Sequence, residues 1–138
     1  MPEWKQRAEL LNTVPGVGSV FISSIVADLP ELGNLNRKQI AALVGVAPFN
    51  NDSGPSKGRR RIWGGRSHLR SLLYMCVVAG LRCNETIQGF YRHLLAAGKP
   101  SKVAIVACMR KLLVILNAML HSQKAWRSAS PSVQADSV

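Results

Sequence analysis

The chain has 138 residues, of which 47% are hydrophobic and 18% charged, a composition that suits one globular domain and excludes a disordered one. At this length folding hides roughly two-thirds of the unfolded chain's surface, so no disulfide or metal staple is required. Eighteen Lys and Arg against seven Asp and Glu leave a net charge of +11, and the self-repulsion of such an excess is usually offset by a polyanionic partner.

The pattern predicts six helices and one long loop, an all-α fold. A first helix covers about Pro2 to Asn12, with Pro2 suited to a first turn and Leu10 and Leu11 facing inward. Val14-Pro15-Gly16-Val17-Gly18 breaks it. A second helix runs from Ser19 to Leu29 with Val20, Ile25 and Leu29 apolar, and Pro30 stops it. Asn36 is suited to cap a short third helix through Val44 that ends at Gly45. From Pro48 to Gly65 the pattern dissolves into Gly, Asn, Pro and Arg, with a short strand at Arg59 to Trp63 only weakly indicated; a loop this long is usually functional or disordered.

Ser67 then caps a helix to about Arg82, with Leu69, Leu72, Leu73, Cys76 and Val77 as its buried stripe. Asn84 caps the next, Glu85 to Ala97, which Gly98 closes. Pro100 opens the longest, Ser101 to about Ser122, where Val106, Met109, Leu113, Leu116 and Leu120 step along one face. Ile105, Leu112 and Ile115 widen that face, so this helix is either central or half buried in a partner. The tail, residues 122–138, is rich in Ser, holds little apolar beyond Trp126, and reads as disordered.

The charge is unevenly placed. From Met1 to Ser56 four basic residues (Lys5, Arg7, Arg37, Lys38) meet five acids (Glu3, Glu9, Asp28, Glu31, Asp52), a net of −1. From Lys57 onward the only acids are Glu85 and Asp136, and the net is +12. A solubilising surface would be expected to mix both signs, so the distribution points to a nucleic-acid face on a packed scaffold. Cys76, Cys83 and Cys108 are odd in number, form no Cys-x-x-Cys pair and read as small buried hydrophobes of a reducing compartment. No signal core opens the sequence, and Arg110-Lys111 interrupts the longest apolar stretch, so a cytoplasmic protein without a membrane span is expected.

Three motifs could carry chemistry. Val14 to Gly18, between two amphipathic helices, can aim the backbone amides of Gly16, Val17, Gly18 and Ser19 outward at a helix start, where glycines admit a phosphate and the dipole favours its charge. This resembles the helix-hairpin-helix module that grips nucleic-acid backbone; the alternative is a tight interhelical turn and nothing more. The second motif sets Ser53 on a flexible turn followed by Lys57, Arg59, Arg60 and Arg61, with Arg66 and Arg70 extending the patch. A serine attacking a phosphodiester needs that exposure and those cations around the developing charge. It also needs a base or metal to activate it, and from the residues alone a loop serine is more often a turn residue. The third is Lys99, with Lys102, Arg110 and Lys111 beyond it; Arg110 and Lys111 interrupt an apolar run, which costs burial unless their heads reach a phosphate or a carboxylate. His68, His93 and His121 are isolated, and no His lies at ligand spacing from a Cys pair, so no metal site is expected.

The motifs also stand in a recognisable order. Pro15-Gly16-Val17-Gly18, Ala42, Gly45-Val46-Ala47-Pro48, Ser53-Gly54, Arg59 to Ile62, Gly65, Leu69-Arg70, Leu73-Tyr74, Phe90-Tyr91, Leu94, Gly98-Lys99-Pro100, Ala104, Ala107 and Met109 to Leu113 follow one another. Together they resemble the C-terminal domain of the DEDD-type insertion-sequence transposases, the bridge-RNA-guided recombinases of insertion-sequence families one-ten and one-sixteen. The resemblance runs from about Leu11 to Leu120. It implies a domain over residues 1–121, with the helix-hairpin-helix at about 2–29, a catalytic-type loop at about 48–66 and a helical part at about 67–121. It further implies DNA and guide RNA as partners, a homo-oligomer or a partner RuvC-like domain, and the bacterial or archaeal cytosol as the setting.

In that family an RuvC-like domain supplies four acidic residues that hold divalent metal (magnesium), while the C-terminal domain supplies a serine that attacks DNA; the matching position here is Ser53. Arg59, Arg60, Arg61, Arg66 and Arg70 would then contact DNA or guide-RNA phosphates. This sequence shows no RuvC-like half, so no metal or other cofactor is expected within it, and it reads as a fragment or a truncated reading frame that does not cut DNA alone. Two other readings of the residues stand beside this one: a non-catalytic basic module for structured RNA or junction DNA, and a structural oligomerisation domain.

Overall fold

The computed structural model describes residues 2–43 and 67–127, and among these the chain is helical throughout, joined by turns. In chain order the helices are α1 (Glu3–Leu11), α2 (Ser19–Asp28), α3 (Arg37–Leu43), α4 (Ser67–Cys83), α5 (Glu85–Ala96) and α6 (Ser101–Ser122). The all-α expectation holds, and each boundary falls within two residues of the one read from the sequence.

Local chemistry explains those boundaries. The Asn36 amide donates to Gln39 Oε1 and the Gln39 amide donates to Asn36 Oδ1, each at 2.9 Å, a reciprocal cap that starts α3. Asn84 Oδ1 accepts from the amides of Thr86 and Ile87 at the start of α5. At the end of α5, Gly98 takes φ +93° and the Lys99 amide returns to the Leu94 carbonyl, the glycine-dependent stop that the spacing predicts.

Helix α6 is the axis around which the others assemble. Eight of its side chains lie in the core, among them Cys108, Leu112, Leu113 and Leu116, and it packs against α1, α3, α4 and α5. By length and composition it could cross a membrane. Here eight of its side chains are taken up by the core, which places it at the centre of the described helices. Onto it fold Leu11 from α1, Phe21, Ile22 and Ile25 from α2, Ile40 from α3, Leu73 and Val77 from α4 and Ile87 from α5. Burying one such aliphatic side chain favours the fold by about 1.5–3 kcal/mol.

Three expectations are corrected. Val20, placed on the inner face of α2 by its spacing, is 65% exposed; Phe21, Ile22 and Ile25 take the core instead, Phe21 and Ile25 lying four positions apart on one face of the helix. Cys83 is exposed, with its Sγ donating to the Ala79 carbonyl, while Cys76 and Cys108 are buried as expected and burial pushes each thiol up to about 11. The chain after α6 does not leave the body: Gln123 turns it through φ +57°, Trp126 packs against the core, and the Trp126 amide donates to Thr13 Oγ1 at 2.9 Å. A single indole supplies enough apolar area to anchor residues 123–127 despite their polar composition. Residues 128–138 lie outside the described part.

The turn between α1 and α2 sits directly on α4. Gly16 has φ +97°, and a Cβ there would stand 3.0 Å from both the Cα and the N of Gly80. Asn84, fully buried, donates from Nδ2 to the Pro15 carbonyl while its Oδ1 caps α5, so one side chain ties the turn to the far end of α4. Gly18, by contrast, has φ −97° and open space around it. Gly16→Ala is therefore expected to destabilise the fold by about 2–4 kcal/mol through left-handed strain and backbone collision. Gly18→Ala should cost at most about 1 kcal/mol. Urea unfolding of both variants checks this, and equal losses would contradict it.

Candidate nucleic-acid interface

The structure divides the Gly16–Ser19 amides, which the sequence reading had all facing out. Gly16 lies against α4 and Val17 is in the core, so these two serve the packing. The physical reason is the two valines: Val14 and Val17, 3% and 9% exposed, drive the turn inward and take its backbone with them. What remains at the surface is the start of α2, where Gly18, Ser19 and Val20 are exposed and no side chain caps the first-turn amides.

Arg70, on the first turns of α4, is exposed and lines a small apolar crevice together with Phe21, Leu29, Leu43, Leu73 and Leu113. Leu43 is the last described residue before position 44, and Arg70 follows closely on 67, where the described chain resumes. The two ends that flank residues 44–66 therefore meet at one crevice. His68 Nε2 lies 2.8 Å from Asp28 Oδ2, joining the start of α4 to the end of α2; both side chains are more than two-fifths exposed, so the pair adds little stability. The expected positions Ser53, Lys57, Arg59, Arg60, Arg61 and Arg66 all lie outside the described residues.

A groove opens between α3, α5 and α6, lined by Arg37, Phe90, Ala107, Arg110, Lys111 and Ile115. It holds about 310 Å³. Lys111 Nζ sits 4.7 Å from the centroid of the Phe90 ring, a cation over a π face. Burial lowers the Lys111 ammonium below its ordinary range, because its charge is partly stripped of water. An anion placed beside it would act in the opposite direction. Arg110 is exposed and free to reach outward from the same turn of α6.

Arg110 and Lys111, both singled out from their intrusion into an apolar run, thus share one groove. Lys99 does not join them; it stands exposed in the turn between α5 and α6. Arg37 and Phe90 escaped sequence reasoning. Phe90 could not have been found without the fold, since it lies 21 positions from Lys111. Arg37 had a signal: it is the first residue of α3, and Lys38 follows, although a helix start favours acids and this first turn has none. Among the described residues no three His, Cys, Asp or Glu side chains come together, so this part of the chain has no donor set for a divalent ion.

Comparison with known proteins follows the same line. The family model described as Transposase IS116/IS110/IS902 family matches residues 8–92. The pilin gene-inverting protein of Moraxella bovis is 32% identical over 127 residues, which is 89% of this chain and 39% of that protein, and the protein of the same name from Moraxella lacunata matches to the same extent. The insertion element IS900 uncharacterized 42 kDa protein of Mycobacterium paratuberculosis is 26% identical over 137 residues, 94% of this chain and 33% of that protein. The chain therefore spans about two-fifths or less of the length of these relatives. No solved structure matches it. The matched segment takes in α2, α3, α4 and most of α5, and with them the turn at Gly16 and Phe90 of the groove: the chain belongs to the IS116/IS110/IS902 transposase family.

Proposed function

We propose that this chain works in DNA transposition or site-specific recombination, as the nucleic-acid-engaging, serine-bearing part of a composite active site. The observation that carries the reading is the family match over residues 8–92. The Moraxella relatives are named for inverting a gene, which is itself a rearrangement of DNA. The one-sided charge and the Arg37, Arg110 and Lys111 groove support a polyanionic substrate. Work on cellular DNA would set it in the cytosol of its host.

In the proposed step the Ser53 oxygen attacks a backbone phosphorus. One P–O bond to the serine forms as the P–O bond to a deoxyribose oxygen breaks. The serine proton passes to a base and the departing oxygen takes up a proton, so the step needs no oxidant or reductant, and the phosphoserine link conserves the bond for a second strand. Arg59, Arg60 and Arg61 would offset the charge that builds on the phosphoryl oxygens. The base and any divalent metal would come from an acidic, RuvC-like segment outside this sequence. A guide RNA and a second protomer belong to the same proposal.

Supplied with the acidic segment of a full-length relative and a cognate DNA end, the chain should yield a DNA–protein adduct that peptide mass spectrometry maps to Ser53. Ser53→Ala should abolish that adduct and leave DNA affinity within about twofold. An adduct that persists in Ser53→Ala, or maps elsewhere, would refute the serine's role.

The groove makes its own prediction. Arg37→Ala and Lys111→Ala should each weaken DNA binding about fivefold in fluorescence anisotropy, the effect of losing about 1 kcal/mol of phosphate contact. Lys102→Ala, outside the groove, should leave affinity unchanged. Equal losses in all three would mean that only total charge matters.

A further inference from the structure

A second cleft, of about 380 Å³, opens between α1, the turn at Gly33 and Asn34, and the C-terminal end of α6. It shares no residue with the Arg37–Arg110–Lys111 groove. Its polar lining comprises Gln6, Arg7, Asn34, His121 and Gln123, with Glu3 as the one carboxylate.

The walls of this cleft are rigid. Asn117 Oδ1 accepts from the amides of Gly33 and Leu35 at 2.6 and 3.2 Å, and its Nδ2 donates to the Leu35 carbonyl. His121 Nδ1 donates to the Gly33 carbonyl at 2.9 Å, which leaves Nε2 as the nitrogen available to a ligand. Gly33 itself, at φ +110° with Leu120 Cβ 3.2 Å from where its own Cβ would stand, permits the turn to close on α6. Two side chains from one turn of α6 thus hold the cleft's floor in place.

Arg7 is the unexplained group. One terminal guanidinium nitrogen is closed off from solvent and has no hydrogen-bond partner. Arg7 pairs with no carboxylate among the described residues, Glu3 included. That nitrogen is out of a ligand's reach as well; the rest of the Arg7 side chain lines the cleft with no carboxylate paired to it, and this is where an anion can be met.

We infer that this cleft is an oxyanion site for a phosphate group. The guanidinium fork and the three carboxamides of Gln6, Asn34 and Gln123 together offer more donors than the two oxygens of a carboxylate readily accept, whereas a phosphate can use them, and a protonated phosphate oxygen can in turn donate to His121 Nε2. The cleft is far roomier than a lone phosphate requires, which leaves space for an attached nucleoside. The phosphate can be free in solution or carried on a nucleic-acid strand, and the inference does not depend on the transposition reading.

The test is a titration of the full chain with inorganic phosphate at constant ionic strength, followed through the side-chain amide resonances of Gln6, Asn34 and Gln123. A saturable shift is expected. Arg7→Gln should weaken it about tenfold with an unchanged thermal midpoint in phosphate-free buffer, and Asn34→Ala, which spares the core, should weaken it several-fold. A second arm compares a short single-stranded oligonucleotide with and without a 5′-phosphate. A preference for the phosphorylated strand that Arg7→Gln removes assigns a nucleic-acid phosphate; saturation by inorganic phosphate with no such preference assigns the free anion. Absence of saturation, or identical titrations for Arg7→Gln and the parent chain, overturns the site.

Discussion

The backbone contact between Gly16 and Gly80 is the constraint on which the rest of this structure depends. Two glycines approach until no Cβ fits between them, and that approach sets the α1–α2 turn upon α4. Val14 and Val17, whose burial draws the turn inward, enter the core at the same seat, and Asn84 reaches the Pro15 carbonyl there. The start of α2 is then presented at the surface while the rest of the turn is hidden. A larger residue at Gly16 would lift the turn away and uncouple the nearly neutral N-terminal part from the basic remainder.

Much of the architecture was legible in the residues because its punctuation is local. Asn36, Asn84 and Gly98 act on backbone groups within a few positions of themselves, so their roles can be read without the fold. What could not be read depends on partners distant in sequence. Gly16 and Gly80, or Trp126 and Thr13, meet only once α6 has gathered the other helices around it. The expectation that all four amides from Gly16 to Ser19 face outward rested on the glycines. It gave too little weight to the valines between them, whose burial decides which way the turn leans.

The candidate interface shows the same division. Arg110 and Lys111 were visible as cations that break an apolar run, a conflict within one helix. Arg37 and Phe90 complete their groove from α3 and α5, and no spacing rule joins the three segments. Partial burial holds the Lys111 ammonium below its ordinary range, and the π face of Phe90 offsets that cost in part.

The central claim is that this basic scaffold engages nucleic acid through phosphate contacts. It is tested most directly by the affinity of the full chain for duplex DNA across a range of salt concentrations. Engagement of at least five phosphates predicts a log–log slope of about −4 or steeper, linear over the range. A slope near zero, or no measurable binding at low salt, would contradict it and leave the charge without a nucleic-acid role.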